Sequence, residues 1–328
     1  MGGQDPLRPY VAGIAVDWLT RTPDARHRRV EGSLVFVDIS GFTRLTERLS
    51  RRGKQGAEEM SDILDATFAE LLAVAYSYGA LLVKWGGDAV LLLFEGEDHA
   101  ALAAKASFEM RAAMRTLGKL RTSVGPVTLR MSVGLHSGAF DFFMAGSGHH
   151  ELIVAGPEAT MTARLEGDAV AGEILMSATT AALLPERCRG EEKGCGVLLR
   201  AAPPVIPRCR CWPEPERPFP YAACLDPGLA AHLAAGSREW EHRHVSAGFV
   251  EIKAIDALIA ARGPDVVAAE LHDVLSRVQA ACRRHQVTFW ETDIAADGFK
   301  VMLVAGAPAG SGHDERALLR AARELLDG

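Results

Sequence analysis

The sequence predicts an α+β fold: helices packed on a largely antiparallel sheet, with the opening pattern returning in weaker form late in the chain. Three observations carry this. The apolar run Leu34-Val35-Phe36-Val37 breaks at Asp38 and passes into a helical pattern. Two further apolar runs, 81–85 and 89–94, meet across Gly86-Gly87 in the manner of a hairpin. Gly248-Phe249-Val250-Glu251-Ile252 and then Asp297-Gly298 restate that strand and that turn, 46 residues from Glu251 to Asp297 against 50 from Asp38 to Asp88.

Residues 33–38 read as a mostly buried strand. From about Thr43 to Tyr78, Met60, Ile63, Leu64, Phe68, Leu71, Leu72 and Ala75 recur at three- and four-residue steps, one helical stripe that Gly79 stops. Beyond the hairpin, Leu102, Ala106, Met110 and Met114 mark a helix over 98–117. A strand at 127–135, a loop, a strand at 151–155, a helix at 157–166 and a strand at 173–176 follow. Residues 185–243 change character. Pro203, Pro204, Pro207, Pro213, Pro215, Pro218 and Pro220 do not support regular interior structure, so this stretch reads as a linker closed by a short helix near 227–235. A helix at 264–284, two strands flanking the turn 293–298 and a helix at 314–326 complete the chain. The organisation expected is an N-terminal helical extension (1–29), a first domain (30–184), a Pro/Cys-rich linker (185–243) and a partial second copy (244–328). That copy lacks the later strands of the first and reads as part of a longer protein.

Composition narrows the class. A chain of 328 residues, 48% apolar and 24% charged, has room for two ordinary cores. A net charge of −6 leaves no basic footprint for nucleic acid. No apolar run reaches the roughly 18 residues of a membrane span, and the first thirty residues hold no signal-like apolar core. Cys188, Cys195, Cys209, Cys211 and Cys224 cluster without the paired C-x-x-C of structural zinc. Reduced loop cysteines, in a cytoplasmic protein without a membrane span, are the expectation.

The chemistry sits at Asp38 and Asp88. Carboxylates delivered at a strand end and in a tight turn suit hard divalent cations, which prefer oxygen ligands and keep part of their shell for phosphates. Two such ions activate an attacking hydroxyl and neutralise a leaving pyrophosphate. The turn Ser40-Gly41-Phe42-Thr43 into a helix offers backbone N–H groups for phosphate oxygens. Taken singly, Asp38 also reads as a helix cap and Asp88 as a turn residue. Taken as a pair, in a context that recurs, they favour metal. His136 reads as structural, and His149-His150 as a solvated loop tip.

Phe36-Val37-Asp38-Ile39-Ser40-Gly41-Phe42-Thr43, Lys84-Trp85-Gly86-Gly87-Asp88, Met131–Gly138, and Ala163-Arg164-Leu165-Glu166 followed by Gly172-Glu173-Ile174-Leu175 resemble the class III nucleotidyl cyclases. The tandem arrangement resembles the soluble adenylyl cyclase-like branch. The resemblance covers 30–184 well and 244–328 weakly. It implies a ferredoxin-like βαββαβ domain followed by a second, truncated copy, with the active site formed between two cyclase domains, in cis or in a homodimer. It implies conversion of ATP, with GTP the second candidate, to 3′,5′-cyclic AMP and pyrophosphate, aided by two Mg²⁺ or Mn²⁺ ions.

The same resemblance implies roles for individual residues. Asp38 and Asp88 match the metal-binding aspartates, and Ile39 adds a backbone carbonyl. Lys84 matches an adenine-contacting lysine, and Arg164 an arginine that stabilises charge on the reacting phosphate. Two positions depart from the pattern: Thr160 stands where the family has asparagine, and Ile153 where it has Asp or Thr. Lys84 and Ile153 therefore disagree about the base. The second copy has no lysine between Lys253 and Lys300, and Asp293 stands at the counterpart of Lys84. An alternative reading is a non-catalytic sensor that binds a nucleotide or a small anion such as bicarbonate.

Overall fold

The apolar run ending at Asp38 is the second half of a long strand in the computed structural model, which describes residues 5–209, 215, 217–236 and 243–327. In chain order, α1 (Gly13–Arg21) precedes β1 (His27–Ser40), α2 (Phe42–Ser50), α3 (Lys54–Ser77), β2 (Leu81–Gly86), β3 (Ala89–Phe94) and α4 (His99–Leu117). Next come β4 (Lys119–Thr122), β5 (Gly125–Thr128), β6 (Arg130–Ala145), β7 (Glu151–Ala155), α5 (Pro157–Asp168), β8 (Ile174–Met176) and α6 (Ala178–Ala182). The remainder is β9 (Arg189–Lys193), β10 (Gly196–Leu199), α7 (Pro227–Ala234), β11 (Ser246–Lys253), α8 (Ile255–Arg262), α9 (Pro264–His285), β12 (Thr288–Ala295), β13 (Gly298–Ala305) and α10 (Asp314–Asp327).

Two compact units cut across chain order. One comprises Glu31–Ala139 and Met161–Trp212. Among its described residues the strands run β2-β3-β1-β6-β8-β10-β9. β3 is buried along its whole length, as a central strand covered on both faces must be. The core joins Val35, Val37, Phe68, Leu71, Leu92, Met110 and Val133. The single helix expected from Thr43 to Tyr78 is two, because Gly53 sits at φ 60°, ψ −137° between α2 and α3. Residues 189–199, expected as linker, form β9 and β10 at the edge of the sheet. The β4–β5 hairpin was not anticipated.

A chain of hydroxyls crosses this unit. His136 Nδ1 meets Ser177 Oγ at 2.8 Å, Ser177 meets Thr180 Oγ1 at 2.9 Å, and Thr180 donates to Ser137 Oγ at 3.0 Å. Ser137 then meets Ser33 Oγ at 2.7 Å, and Ser33 meets His99 Nδ1 at 2.7 Å. His136 is buried, as a structural role requires.

The other unit comprises Met1–Val30, Phe140–Thr160 and Pro213–Gly328. Its three-stranded sheet runs β11-β13-β12, the order that β1, β3 and β2 follow in the first unit. The stripe of α9 (Val267, Leu271, Leu275, Val278) packs with Phe289, Phe299 and Val301 and with Phe143 and Ile153. Buried polar contacts join the segments. Glu151 accepts from the Thr292 backbone N–H at 3.0 Å and from its hydroxyl at 2.7 Å. Gln279 accepts from the Gly148 N–H at 2.7 Å and donates to the His149 carbonyl at 3.0 Å. His149, expected at a solvated tip, is buried edge-on against Phe289, 5.0 Å between centroids.

Of the cysteines in the expected linker, Cys188 is buried, and Cys188, Cys195, Cys209 and Cys224 are free thiols. Cys211 and Pro213 lie outside the described residues. Among the described residues no helix is long and apolar enough to cross a membrane.

Candidate active site

Asp38 and Asp88 come together because of the antiparallel register of β1 and β3. Asp38 lies opposite Ala89, and the Ile39 N–H donates to the Asp88 carbonyl at 3.1 Å. The turn that presents Asp88 is the two-residue connection between Gly86 and Ala89, with Gly87 at φ 67°. Asp38 is half-buried, and its carboxyl is pushed up from 3.8 to about 7. Burial is the largest cause, followed by the charges of Asp88 and Glu166, and the Ile39 N–H opposes them. Negative charge is thus concentrated here, on oxygen donors.

The start of α2 adjoins this pair. Its N-cap is Gly41 at φ 104°, with no side-chain hydrogen bond to the first turn. Asp38 is therefore not the cap of α2. The N–H groups that follow Gly41 face a helix N-terminus without a side-chain partner, an arrangement suited to anions. Thr43 is exposed, whereas Phe42 is buried and anchors the turn. A cleft of about 500 Å³ opens beside them, lined by Phe42, Thr43, Thr46, Glu47, Met60, Leu64, Gly87 and Asp88.

The donor chemistry fits a hard divalent cation, with a limit. Among the described residues no group of three or more His, Cys, Asp or Glu side chains converges to hold an ion. Two carboxylates and a backbone carbonyl leave coordination positions for substrate phosphates and water, which is how Mg²⁺ is commonly bound.

The other expected residues are distributed. Lys84 is half-buried on β2 at a bulge opposite Leu91. Arg164 projects exposed from α5, and its charge acts on the Cys195 thiol. Glu166, legible in the sequence only as the end of the Ala163–Glu166 motif, accepts from the Ser132 hydroxyl at 3.0 Å, and its charge helps raise the Asp38 carboxyl.

The two departures from the family pattern have structural partners. Ile153 is fully buried in the core formed with α9 and β13. The Thr160 hydroxyl accepts from the Asp297 N–H at 2.9 Å and donates to the Asp256 carboxylate at 3.1 Å. At β11 the register corrects the expectation that Glu251 is the counterpart of Asp38. Lys253, not Glu251, pairs with the residue after the Asp297 turn, as Asp38 pairs with the residue after Asp88. Lys253 also binds Glu251 at 2.7 Å.

Residues 25–196, just over half of the chain, match the adenylate and guanylate cyclase catalytic domain. The adenylate cyclase type 10 of Oryctolagus cuniculus is 29% identical over 133 residues, 38% of this chain and 8% of that protein. That of Homo sapiens is 28% identical over 127 residues, 37% of this chain and 8% of that protein. The chain thus spans less than a tenth of the length of these curated relatives. Among solved structures, the guanylyl cyclase Cya2 is 24% identical with a TM-score of 0.46, over 53% of this chain and 93% of that one. The adenylyl cyclase CyaB from P. aeruginosa is 23% identical with a TM-score of 0.45, over 55% and 98%. With the domain match extending over more than half of its length, the chain belongs to the class III adenylate and guanylate cyclase catalytic domain family.

Proposed function

We propose that this chain is the cyclase region of an adenylate cyclase-like protein that converts ATP to 3′,5′-cyclic AMP and pyrophosphate. The observation that carries the reading is that the β1–β3 register brings Asp38 beside Asp88, next to an uncapped helix start. In the reaction the ribose 3′-oxygen bonds to the α-phosphorus, the bond from that phosphorus to the pyrophosphate oxygen breaks, and the hydroxyl proton passes to solvent. Asp38, Asp88 and the Ile39 carbonyl would hold Mg²⁺ or Mn²⁺, two ions in all, which when bound acidify the attacking hydroxyl and offset charge on the leaving group. The backbone N–H groups of the Ser40–Thr43 turn bind phosphate oxygens. Lys84 contacts the adenine and Arg164 the reacting phosphate, each within a site completed by another cyclase domain. The exposure of Arg164 supports that division.

Residues 244–328 are proposed to be a second, degenerate copy of the cyclase pattern, supported by the shared strand order and the turn at Asp297. The engagement of Ile153 and Thr160 within their own unit favours a second reading, a non-catalytic module that binds nucleotide or a small anion and regulates an attached effector. Cyclic AMP and cyclic GMP formation from ATP and GTP with Mn²⁺, comparing the chain with Asp38→Ala, separates the readings. Loss of product in the variant is expected, and equal product from both proteins would sink the catalytic assignment. Calorimetric ATP binding that depends on metal but yields no product would favour the sensor.

A further inference from the structure

Beyond the aspartate pair, a third carboxylate reaches the same end of the sheet. Glu166 lies on α5, two residues past Arg164, and α5 rests closely on β6. A Cβ at Gly134 would meet the Glu166 nitrogen at 2.4 Å and the Thr162 carbonyl oxygen at 2.6 Å. β6 is the sheet neighbour of β1, the strand that carries Asp38. Ser132, two residues before Gly134 and so on the same face of β6, donates its hydroxyl to Glu166 at 3.0 Å. That bond restrains the carboxylate on the face that carries Asp38: Val35, Val37 and Ile39 of β1 and Met131, Val133 and Leu135 of β6 enter one core, so the alternate residues Asp38, Ser132 and Gly134 share the other face.

We propose that Glu166 is a positioning residue of the cation site, a carboxylate held by Ser132 that raises divalent-cation affinity at Asp38 and Asp88 without itself ligating the ion. The inference rests on the metal-dependent reading above. A fixed negative charge one layer outside the ligands increases the field at the site; outer partners that hydrogen-bond the ligands change metal affinity about 10- to 100-fold, and a charge acting through space belongs at the low end of that range. Because Glu166 is half-buried, the effect is partly screened and falls with ionic strength. This separates Glu166 from Arg164 on the same helix, which is exposed.

The test is Mn²⁺ titration of the full chain, followed by calorimetry and by electron paramagnetic resonance, with no nucleotide present. Glu166→Gln keeps the size of the side chain and an acceptor for Ser132, and is expected to weaken Mn²⁺ binding about tenfold at low salt. The gap narrows in high salt, and Glu166→Asp recovers most of the affinity. Ser132→Ala, which frees the carboxylate without removing its charge, gives a smaller loss and serves if Glu166→Gln folds poorly by circular dichroism. Asp88→Asn is the reference. If it abolishes Mn²⁺ binding while Glu166→Gln and Ser132→Ala bind like wild type, the role of Glu166 is refuted and the site stands. If wild type binds no Mn²⁺, or Asp88→Asn binds it equally, the site reading fails and the inference falls with it.

Discussion

Asp38 should weaken the metal-free fold, and removing its charge should strengthen it. A carboxyl displaced from 3.8 in the unfolded chain to about 7 in the folded one binds its proton more tightly when folded. Between those values the folded state holds more protons than the unfolded state, so stability falls as pH rises through the window and the full penalty is present above 7. Each pH unit of displacement is worth about 1.4 kcal/mol, so the whole displacement would cost about 4 kcal/mol. Asp38 is only half-buried, and solvent screening reduces this to about 2 kcal/mol. Asp38→Asn in chelator-treated buffer is therefore expected to stabilise the protein by about 2 kcal/mol at pH 8, with the gain shrinking to nothing below pH 4. Urea unfolding at pH 4, 6 and 8 measures it, with Trp85 as the fluorescent reporter in the same unit. Added Mn²⁺ should reverse the order, since only the wild type gains a ligand for its native state. A variant no more stable than wild type at pH 8, or stabilised equally at every pH, refutes the electrostatic account.

Two further substitutions probe the scaffold. Glu151→Ala removes the acceptor of the buried Thr292 N–H and leaves its hydroxyl to the Leu152 carbonyl at 3.2 Å, and should cost about 2 kcal/mol, read from urea unfolding followed by Trp290 fluorescence; a loss under 0.5 kcal/mol would mean that Glu151 contributes little. Gly134→Ala places a methyl group against the backbone of α5, so that helix must shift, at a cost of about 1–3 kcal/mol measured by thermal unfolding together with a loss of Mn²⁺ affinity; a variant unchanged in both would show that α5 is free to move.

Much of the candidate site was legible because its parts are local. An apolar strand ending in Asp, a Gly-Gly turn ending in Asp and a Gly before a helix each carry a signal within a few residues, and the strand register does the rest. The β11 register was not legible. A two-residue slip keeps every side chain on its own face, so the alternation that identifies Phe249-Val250-Glu251-Ile252 as a strand is blind to it. The likeness of that run to Phe36–Ile39 pointed to Glu251 when the backbone places Lys253. β9 escaped because Arg189-Gly190-Glu191-Glu192-Lys193 has no apolar face; as an edge strand it needs none. His149 misled for the opposite reason: a polar pair among glycines resembles a loop, and Glu151 with the distant Gln279 and Phe289 makes its burial tolerable.

The hydroxyl chain between His136 and His99 carries information in the direction of its protons. Five links are made by four hydroxyls, each with one hydrogen to give, so one imidazole must supply the fifth. When Thr180 gives its hydrogen to Ser137 at 3.0 Å, and not to the Leu135 carbonyl at 3.5 Å, the sequence runs one way: His136 gives its Nδ1 proton to Ser177, and His99 receives at Nδ1 from Ser33. In that arrangement the two rings hold opposite tautomers, and a proton placed on Nδ1 of His99 turns every hydroxyl between them and moves the hydrogen of His136 to its other nitrogen.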